Sequence, residues 1–292
     1  MSGFHASRRS PLHPLRPSLP QFLRCGRNVS LPTFVTSDPL TVGQTVTLGE
    51  DEAHHIRVRR LEVGEHVGLL DGHGARGTGV LVRLAKRHAA VTLEQVTTSE
   101  QPPSVHLLLP VADKERMLWL AEKATELGAT SWRPVLWRKS RSVNPRGEGP
   151  MFKQRVAARM AGALAQSSGA WLPTVYPDAT LERAITATPD GPRLVLDIRG
   201  EPIATLVASA LESVRVYGAG RLRPISIAVG PEGGCEEQEL EALHRSGFRA
   251  VSIGSTMLRF ETAAVAALAV VRSALATLPA TITAAKEDAR NG

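Results

Sequence analysis

Cysteine is scarce in this chain of 292 residues. Cys25 and Cys235 are the only two, and neither has a second thiol or a histidine at metal-ligand spacing. A disulfide framework and a zinc site are therefore not expected, and a reducing compartment, the cytoplasm, is the expected setting. Long apolar runs are missing too. The most apolar segment, TAAVAALAVV from Thr262 to Val271, falls short of the roughly 18 residues a membrane span requires, so no membrane protein is expected. Acidic residues are absent from positions 1–37, which carry Arg8, Arg9, Arg16, Arg24 and Arg27. Setting those five aside reduces the formal charge from +7 to +2, so global charge says little about a polyanionic partner and local patches must carry that argument.

Residues 1–30 are rich in Pro, Ser and Arg without hydrophobic periodicity, and the expectation is a disordered basic tail. Its lack of acid is transit-peptide-like, but the prolines oppose an amphipathic helix and there is no apolar h-region. A translation start near Val29 is a specific form of the same expectation.

From Leu31 to about Val96, short β-like runs (TFVTS, QTVTLG, HVGLLD, TGVLVRLA, AAVTLEQV) alternate with turn residues, which predicts a small β-rich domain or barrel over 31–97. The polar segment TTSEQPPS then reads as a linker. Over 104–285 strands alternate with helices, the pattern of a mostly parallel sheet covered by helices. In DKERMLWLAEKATELG, Asp113 suits an N-cap, Gly128 suits the position just past the helix, and Met117, Leu120, Ala121, Ala124 and Leu127 make an apolar stripe.

Two glycine-rich turns compete for attention. GHGARG at Gly72–Gly77 matches G-x-G-x-x-G, but a strand follows it where a dinucleotide site needs a helix N-terminus, so a hairpin is expected. Gly230–Gly234 in ISIAVGPEGGCEEQELEAL follows an apolar strand and opens a helix, the usual ligand position in α/β sheets. Phosphate is disfavoured there, because Glu232, Glu236 and Glu237 already place negative charge at the helix start and Pro231 has no N–H. A neutral or cationic ligand fits better, with Gly233 expected to have positive φ where backbone meets ligand. A plain tight turn is the alternative.

IGSTMLRFETAAVAALAVV repeats the strand, loop and helix order, with Arg259 and Glu261 flanking Phe260 as a salt bridge or as a charged pair in a cleft. The helix is apolar on nearly all faces, which predicts burial all round, in a core or a subunit interface. SWRPVLWRKSRSVNPR interleaves Arg133, Arg138, Lys139, Arg141 and Arg146 with Trp132 and Trp137. That pattern suits phosphate contacts and base stacking, or else a solvated strand end with core tryptophans. Arg57, Arg59 and Arg60 form a second cluster in the β-rich part, while the adjacent His54 and His55 cannot chelate a metal together.

HHIRVRRLEVGE, EKATELGATSWRPVLWRKS, AVGPEGGCEEQE and IGSTMLRFETAA, in this order and spacing, resemble the RsmE family of 16S ribosomal RNA uridine-N3 methyltransferases. The resemblance implies a PUA-like β-barrel followed by a SPOUT-type α/β domain with a trefoil knot, a homodimer, and S-adenosylmethionine as cofactor. It implies cofactor contacts from Leu196, Gly230, Glu232, Gly233, Gly234, Ile253, Gly254, Leu258 and Thr262. RNA contacts would come from Arg57, Arg59, Arg60, Arg138, Lys139 and Arg141, and catalysis from Arg259 and Glu261. One departure stands out: QSSGAWLP has Gly169 where relatives often carry arginine.

Overall fold

The computed structural model describes residues 31–140, 150–209 and 223–277, and the described residues from Pro32 onward form one compact unit. The expected tail at 1–30 and the expected contacts from Arg141 and Arg146 lie outside the described residues.

The first part is a five-stranded sheet of β1 (Thr33–Val35), β2 (Thr45–Leu48), β3 (His66–Leu70), β4 (Ala75–Leu84) and β5 (Ala89–Thr98), in the order β1-β3-β4-β5-β2. All neighbours are antiparallel except β1 and β3. The five expected strands are present, and their inward residues Val46, Leu48, Val67, Leu69, Leu81, Val91 and Leu93 make one core. The sheet is a half-barrel: among the described residues β1 and β2 remain its two edges. Helix α1 (Glu50–Val58) packs Ala53 and Ile56 into the same core. Nothing in the apolar pattern announced α1, since only these two residues are buried. Its charges do suit a helix, with Glu50, Asp51 and Glu52 in the first turn and His55 and Arg57 in the last.

The second part is a parallel sheet ordered β12-β10-β11-β6-β7-β8, with β9 also paired to β7. Its strands are β6 (Val105–Pro110), β7 (Ser131–Leu136), β8 (Thr174–Val175), β9 (Ala179–Thr180), β10 (Arg193–Pro202), β11 (Ile225–Ala228) and β12 (Phe248–Ser252). The helices are α2 (Lys114–Glu126), α3 (Pro150–Ser167), α4 (Leu181–Thr186), α5 (residues 203–209), α6 (Glu237–Arg245) and α7 (Phe260–Leu275). Side-chain alternation along the strands feeds two cores. Leu107 and Leu109 join α2, α3 and α7 on one face, whereas Leu108 joins α4 and α6 on the other. Asp113 Oδ1 accepts from the amides of Glu115 and Arg116, and Gly128 takes φ +71° past the end of α2, as its sequence predicts.

α7 is covered on one side only within this chain. It fully buries Phe260, Ala264, Ala267, Leu268, Val271 and Leu275 but leaves Val265, Ala266, Ala269 and Val270 half-buried and Thr262 exposed. The sheet and α2 cover one side of the helix, so burial all round is not achieved within this chain. Among the described residues no helix is long and apolar enough to cross a membrane.

The two sheets are laced together. Gly74 N–H donates to Ala170 O (2.9 Å), Leu172 N–H to Gly72 O (2.9 Å), and the Trp171 indole to Glu100 O (3.2 Å). Arg272 reaches from α7 to Pro103 O in the linker (2.5 Å) and also donates to Gly128 O. GHGARG is thus a hairpin end, with Asp71 Oδ1 accepting from the amides of His73 and Ala75.

Candidate active site

Three strand ends converge on a cleft of about 360 Å³. The first wall is the turn after β11. It is closed by Gly234 N–H donating to Pro231 O at 2.8 Å, and φ is +74° at Gly234 rather than at Gly233. The expected positive φ therefore sits one residue later, where the chain must reverse into the approach to α6. Gly230 is required for a different reason, because a Cβ there would lie 2.5 Å from Cys235 Sγ. The second wall is the loop after β12, including Ile253, Gly254 and Leu258. The third is a bulge in β10: Val251 faces both Leu196 and Glu201, so Asp197, Ile198 and Arg199 are pushed out to line the cleft. Gly200 permits this, since a Cβ there would meet Val251 N at 2.4 Å.

Leu196, Gly230, Glu232, Gly233, Gly234, Ile253, Gly254 and Leu258 all line this space. Thr262 does not; it is exposed one turn into α7, and Phe260 and Ala263 line the cleft instead. A separate cavity of about 320 Å³ lies between α2, α3 and β7, walled by Trp132, Phe152, Val156 and Met160. It has none of the glycine backbone that distinguishes the first.

The cleft's electrostatics disfavour a phosphate. Glu236 and Glu239 form a reciprocal capping box at the start of α6, occupying amide donors that a phosphate would use. Asp197 is gripped by Arg199 through Oδ1 to Nε (3.0 Å) and Oδ2 to Nη2 (2.7 Å), and these bonds hold its carboxyl below the usual range. Burial pushes the Cys235 thiol up to about 12, with Glu239 and Asp197 adding to the effect, so it is not a nucleophile at neutral pH. The remaining walls, Leu196, Ile198, Val229, Val251, Ile253 and Leu258, are apolar. Such a site fits a flat, uncharged ring beside a cationic centre. Adenosine and sulfonium in S-adenosylmethionine satisfy both requirements, and a nucleoside triphosphate does not.

Arg259 is exposed at the N-cap of α7, its carbonyl accepting from Ala263 N–H (2.9 Å). Glu261 is 8% exposed, and its Oε2 is buried without a hydrogen-bond partner among the described residues. These two residues do not pair among the described contacts. Glu261 Oε1 instead lies 3.8 Å from Nε of Arg116 on α2, and the same guanidinium forms an ion pair with Glu232 of the glycine turn. Arg116 escapes a sequence reading because it sits on the polar side of α2, where it resembles any solvated helix charge.

Arg138 and Lys139 are exposed beside the cleft. Arg138 N–H donates to Glu239 Oε1 (2.8 Å), and a Cβ on Gly233 would be 3.3 Å from Lys139 Cβ. Base stacking on the neighbouring tryptophans is ruled out in this fold: Trp132 and Trp137 are 1% and 3% exposed, packed on opposite faces of the sheet. Arg57, Arg59 and Arg60 lie exposed at the end of α1, with Arg57 donating to Lys86 O (2.7 Å). Among the described residues no group of His, Cys, Asp and Glu could hold a metal. Gly169 lies outside the cleft, next to the lacing at 170–172, so this departure removes nothing from the cleft walls.

Comparison with known proteins places this arrangement. Residues 99–272 match the model of the RNA methyltransferase domain and residues 48–94 that of the RNA methyltransferase PUA domain, so the chain is of the PUA-containing RNA methyltransferase class. It is 30% identical over 253 residues to ribosomal RNA small subunit methyltransferase E of Mycobacterium bovis, covering 83% of this chain and 91% of that protein. It is also 30% identical over 247 residues to the Synechocystis protein of the same name, covering 83% and 77%. The chain belongs to the ribosomal RNA small subunit methyltransferase E family. The Neisseria gonorrhoeae member, solved bound to S-adenosyl methionine, superposes with a TM-score of 0.70 at 30% identity, over 84% of this chain and 98% of that one. A Legionella pneumophila putative methyltransferase, 23% identical with a TM-score of 0.73, has the same fold.

Proposed function

We propose that this chain methylates N3 of a uridine in the 16S rRNA of the small ribosomal subunit, using S-adenosylmethionine held in the cleft between β10, β11 and β12. The observation that carries this reading is a backbone-built cleft whose helix terminus is already capped by carboxylates, beside the exposed Arg259. The bound cofactor supplies an electrophilic methyl group. Leu196, Ile253 and Leu258 would hold its adenine, while Gly230, Gly233, Gly234 and Gly254 allow close approach of backbone and Glu232 tolerates its positive charge.

Uracil N3–H is largely protonated at neutral pH, so the protein must favour the N3 anion while excluding water. Arg259 would polarise the adjacent carbonyl oxygens. Glu261 would serve as proton acceptor or as the anchor of the α7 start, and its pairing with Arg116 removes support for its orienting Arg259 directly. The exposed Arg57, Arg59 and Arg60 and the exposed Arg138 and Lys139 would contact phosphates, with Arg141 assigned to the same role from its sequence alone. The same reading takes 31–97 as the PUA-like RNA-binding domain and 104–285 as a SPOUT domain with a trefoil knot. It also takes the protein as a cytoplasmic homodimer, and the half-buried apolar side of α7 supports a second copy packing there.

Single-turnover methylation of 30S subunits at saturating cofactor tests the assignment. Arg259→Ala should slow the chemical step by about 10² to 10³ while leaving RNA affinity nearly unchanged, as loss of a transition-state donor does elsewhere. Normal turnover in both Arg259→Ala and Glu261→Gln would place the chemistry in another loop. Methyl incorporation at an atom other than uridine N3 would overturn the acceptor.

A further inference from the structure

We infer that Arg116 is a positioning residue for this site, clamping the glycine turn to the start of α7. The inference rests on the methyltransferase reading for its functional meaning, but the clamp itself is a property of the ligand-free chain. Arg116 is the third residue of α2, and the capping of that helix by Asp113 fixes where its side chain begins. Its guanidinium is about one-third exposed and is shared by two carboxylates from distant segments: Glu232, which lines the cleft, and Glu261, which is nearly buried. Among the described residues no other cation lies within ion-pair distance of Glu232 or Glu261.

The consequences for the two carboxylates differ. Glu232 is 44% exposed at the side chain and can be satisfied by water if Arg116 is lost, but the turn that carries it is then untied. Glu261 cannot reach water so easily, and its second oxygen already lacks a partner. Removing the guanidinium would leave a buried charge without compensation, which is far more costly than losing a surface pair. One side chain thus contacts both the cofactor-side turn and the carboxylate next to Phe260, itself part of the cleft wall. A planar guanidinium suits this better than an ammonium, because its separate N–H groups can serve two acceptors at once.

The experiment compares wild type, Arg116→Gln and Arg116→Gln with Glu261→Gln in the full chain. Hydrogen exchange would be followed for residues 229–236 and 258–264 without ligand, together with S-adenosylhomocysteine binding by calorimetry. In Arg116→Gln both segments should exchange about tenfold faster or more, and affinity should fall by a similar factor. The double variant should regain thermal stability and protection at 258–264, because the buried charge is gone. It should not regain protection at 229–236 or affinity, because Glu232 is still untied. Unchanged exchange in both segments of Arg116→Gln overturns the clamp. Recovery of both segments in the double variant also overturns it, reducing Arg116 to a counterion of Glu261. If wild type itself does not bind S-adenosylhomocysteine, the methyltransferase reading fails while the exchange data still judge the clamp.

Discussion

The chain contains two glycine-rich turns with opposite fates. Gly72–Gly77 matches a nucleotide-binding pattern and yet ends a hairpin, its Gly72 and Gly74 at positive φ so that backbone can meet the 170–172 segment. Gly230–Gly234 matches no nucleotide-binding pattern and yet forms a cleft wall. In both, glycine allows close approach. The difference lies at one residue of each: a Cβ built on Gly74 would lie 2.5 Å from Trp171, whereas one on Gly234 meets nothing within 4 Å, although Gly230 and Gly233 in the same turn do face Cys235 and Lys139. At Gly74 the space of the missing side chain is filled by protein, whereas at Gly234, in the cleft wall, it is open.

Substitutions at the two turns should separate along this line. Gly74→Val should have the largest effect on stability, about 3 kcal/mol from left-handed strain and overpacking combined, because Trp171 and Ser99 O leave no room. Denaturant unfolding measures this, and S-adenosylhomocysteine affinity of the folded fraction should be unchanged. A Cβ at Gly234 meets no protein atom, so Gly234→Val should cost stability only the backbone term of about 1 to 2 kcal/mol, and a side chain in the cleft wall should separately lower that affinity roughly tenfold. A reversed pattern, with Gly74→Val abolishing binding and Gly234→Val only destabilising, would break the comparison.

The smallest effect is at Cys235, packed against Gly230. Its folded-state thiol is pushed up to about 12 from an ordinary value near 9, so the protonated form is favoured by the fold. The unfolded thiol ionises first as pH rises. This contribution is therefore complete below about pH 9 and is lost between about 9 and 12. Cys235→Ala should flatten that alkaline decline relative to wild type in urea midpoints from pH 8 to 10.5. Parallel curves would mean that the thiol is solvated and the turn looser than described.

Much of the fold was legible because it rests on local periodicity. β2 and much of β4 and β5 alternate, and the stripe and caps of α2 are present in the residues themselves. α1 was not legible, since two buried residues are too few to set a period, and β8, β9 and α4 are each only two to six residues long. For the site, the loops were legible from turn chemistry placed after apolar strands, with Thr262 the exception. The clamp at Arg116 was not, because it joins α2, the turn after β11 and α7 across more than a hundred residues of chain. For the tryptophans the sequence left two readings open, and burial of Trp132 and Trp137 selects the core one. A basic, aromatic segment reads the same whether its rings face solvent or opposite sides of a buried strand.

The lacing between 72–74, 99–100 and 170–172 bears on how such a chain can change over evolutionary time. Proteins that acquire RNA-binding appendages by recombination usually join them through a tether that either partner can lose. Here the segment between the sheets is bonded at both ends, by Trp171 to Glu100 O and by Arg272 to Pro103 O. A crossover in that segment would bring together a hairpin and a 170–172 segment that had not been selected for each other, with the Trp171 ring packed against a foreign Gly74 position. Chimaeras that swap only the small sheet between relatives should therefore fold poorly unless residues 169–172 travel with it.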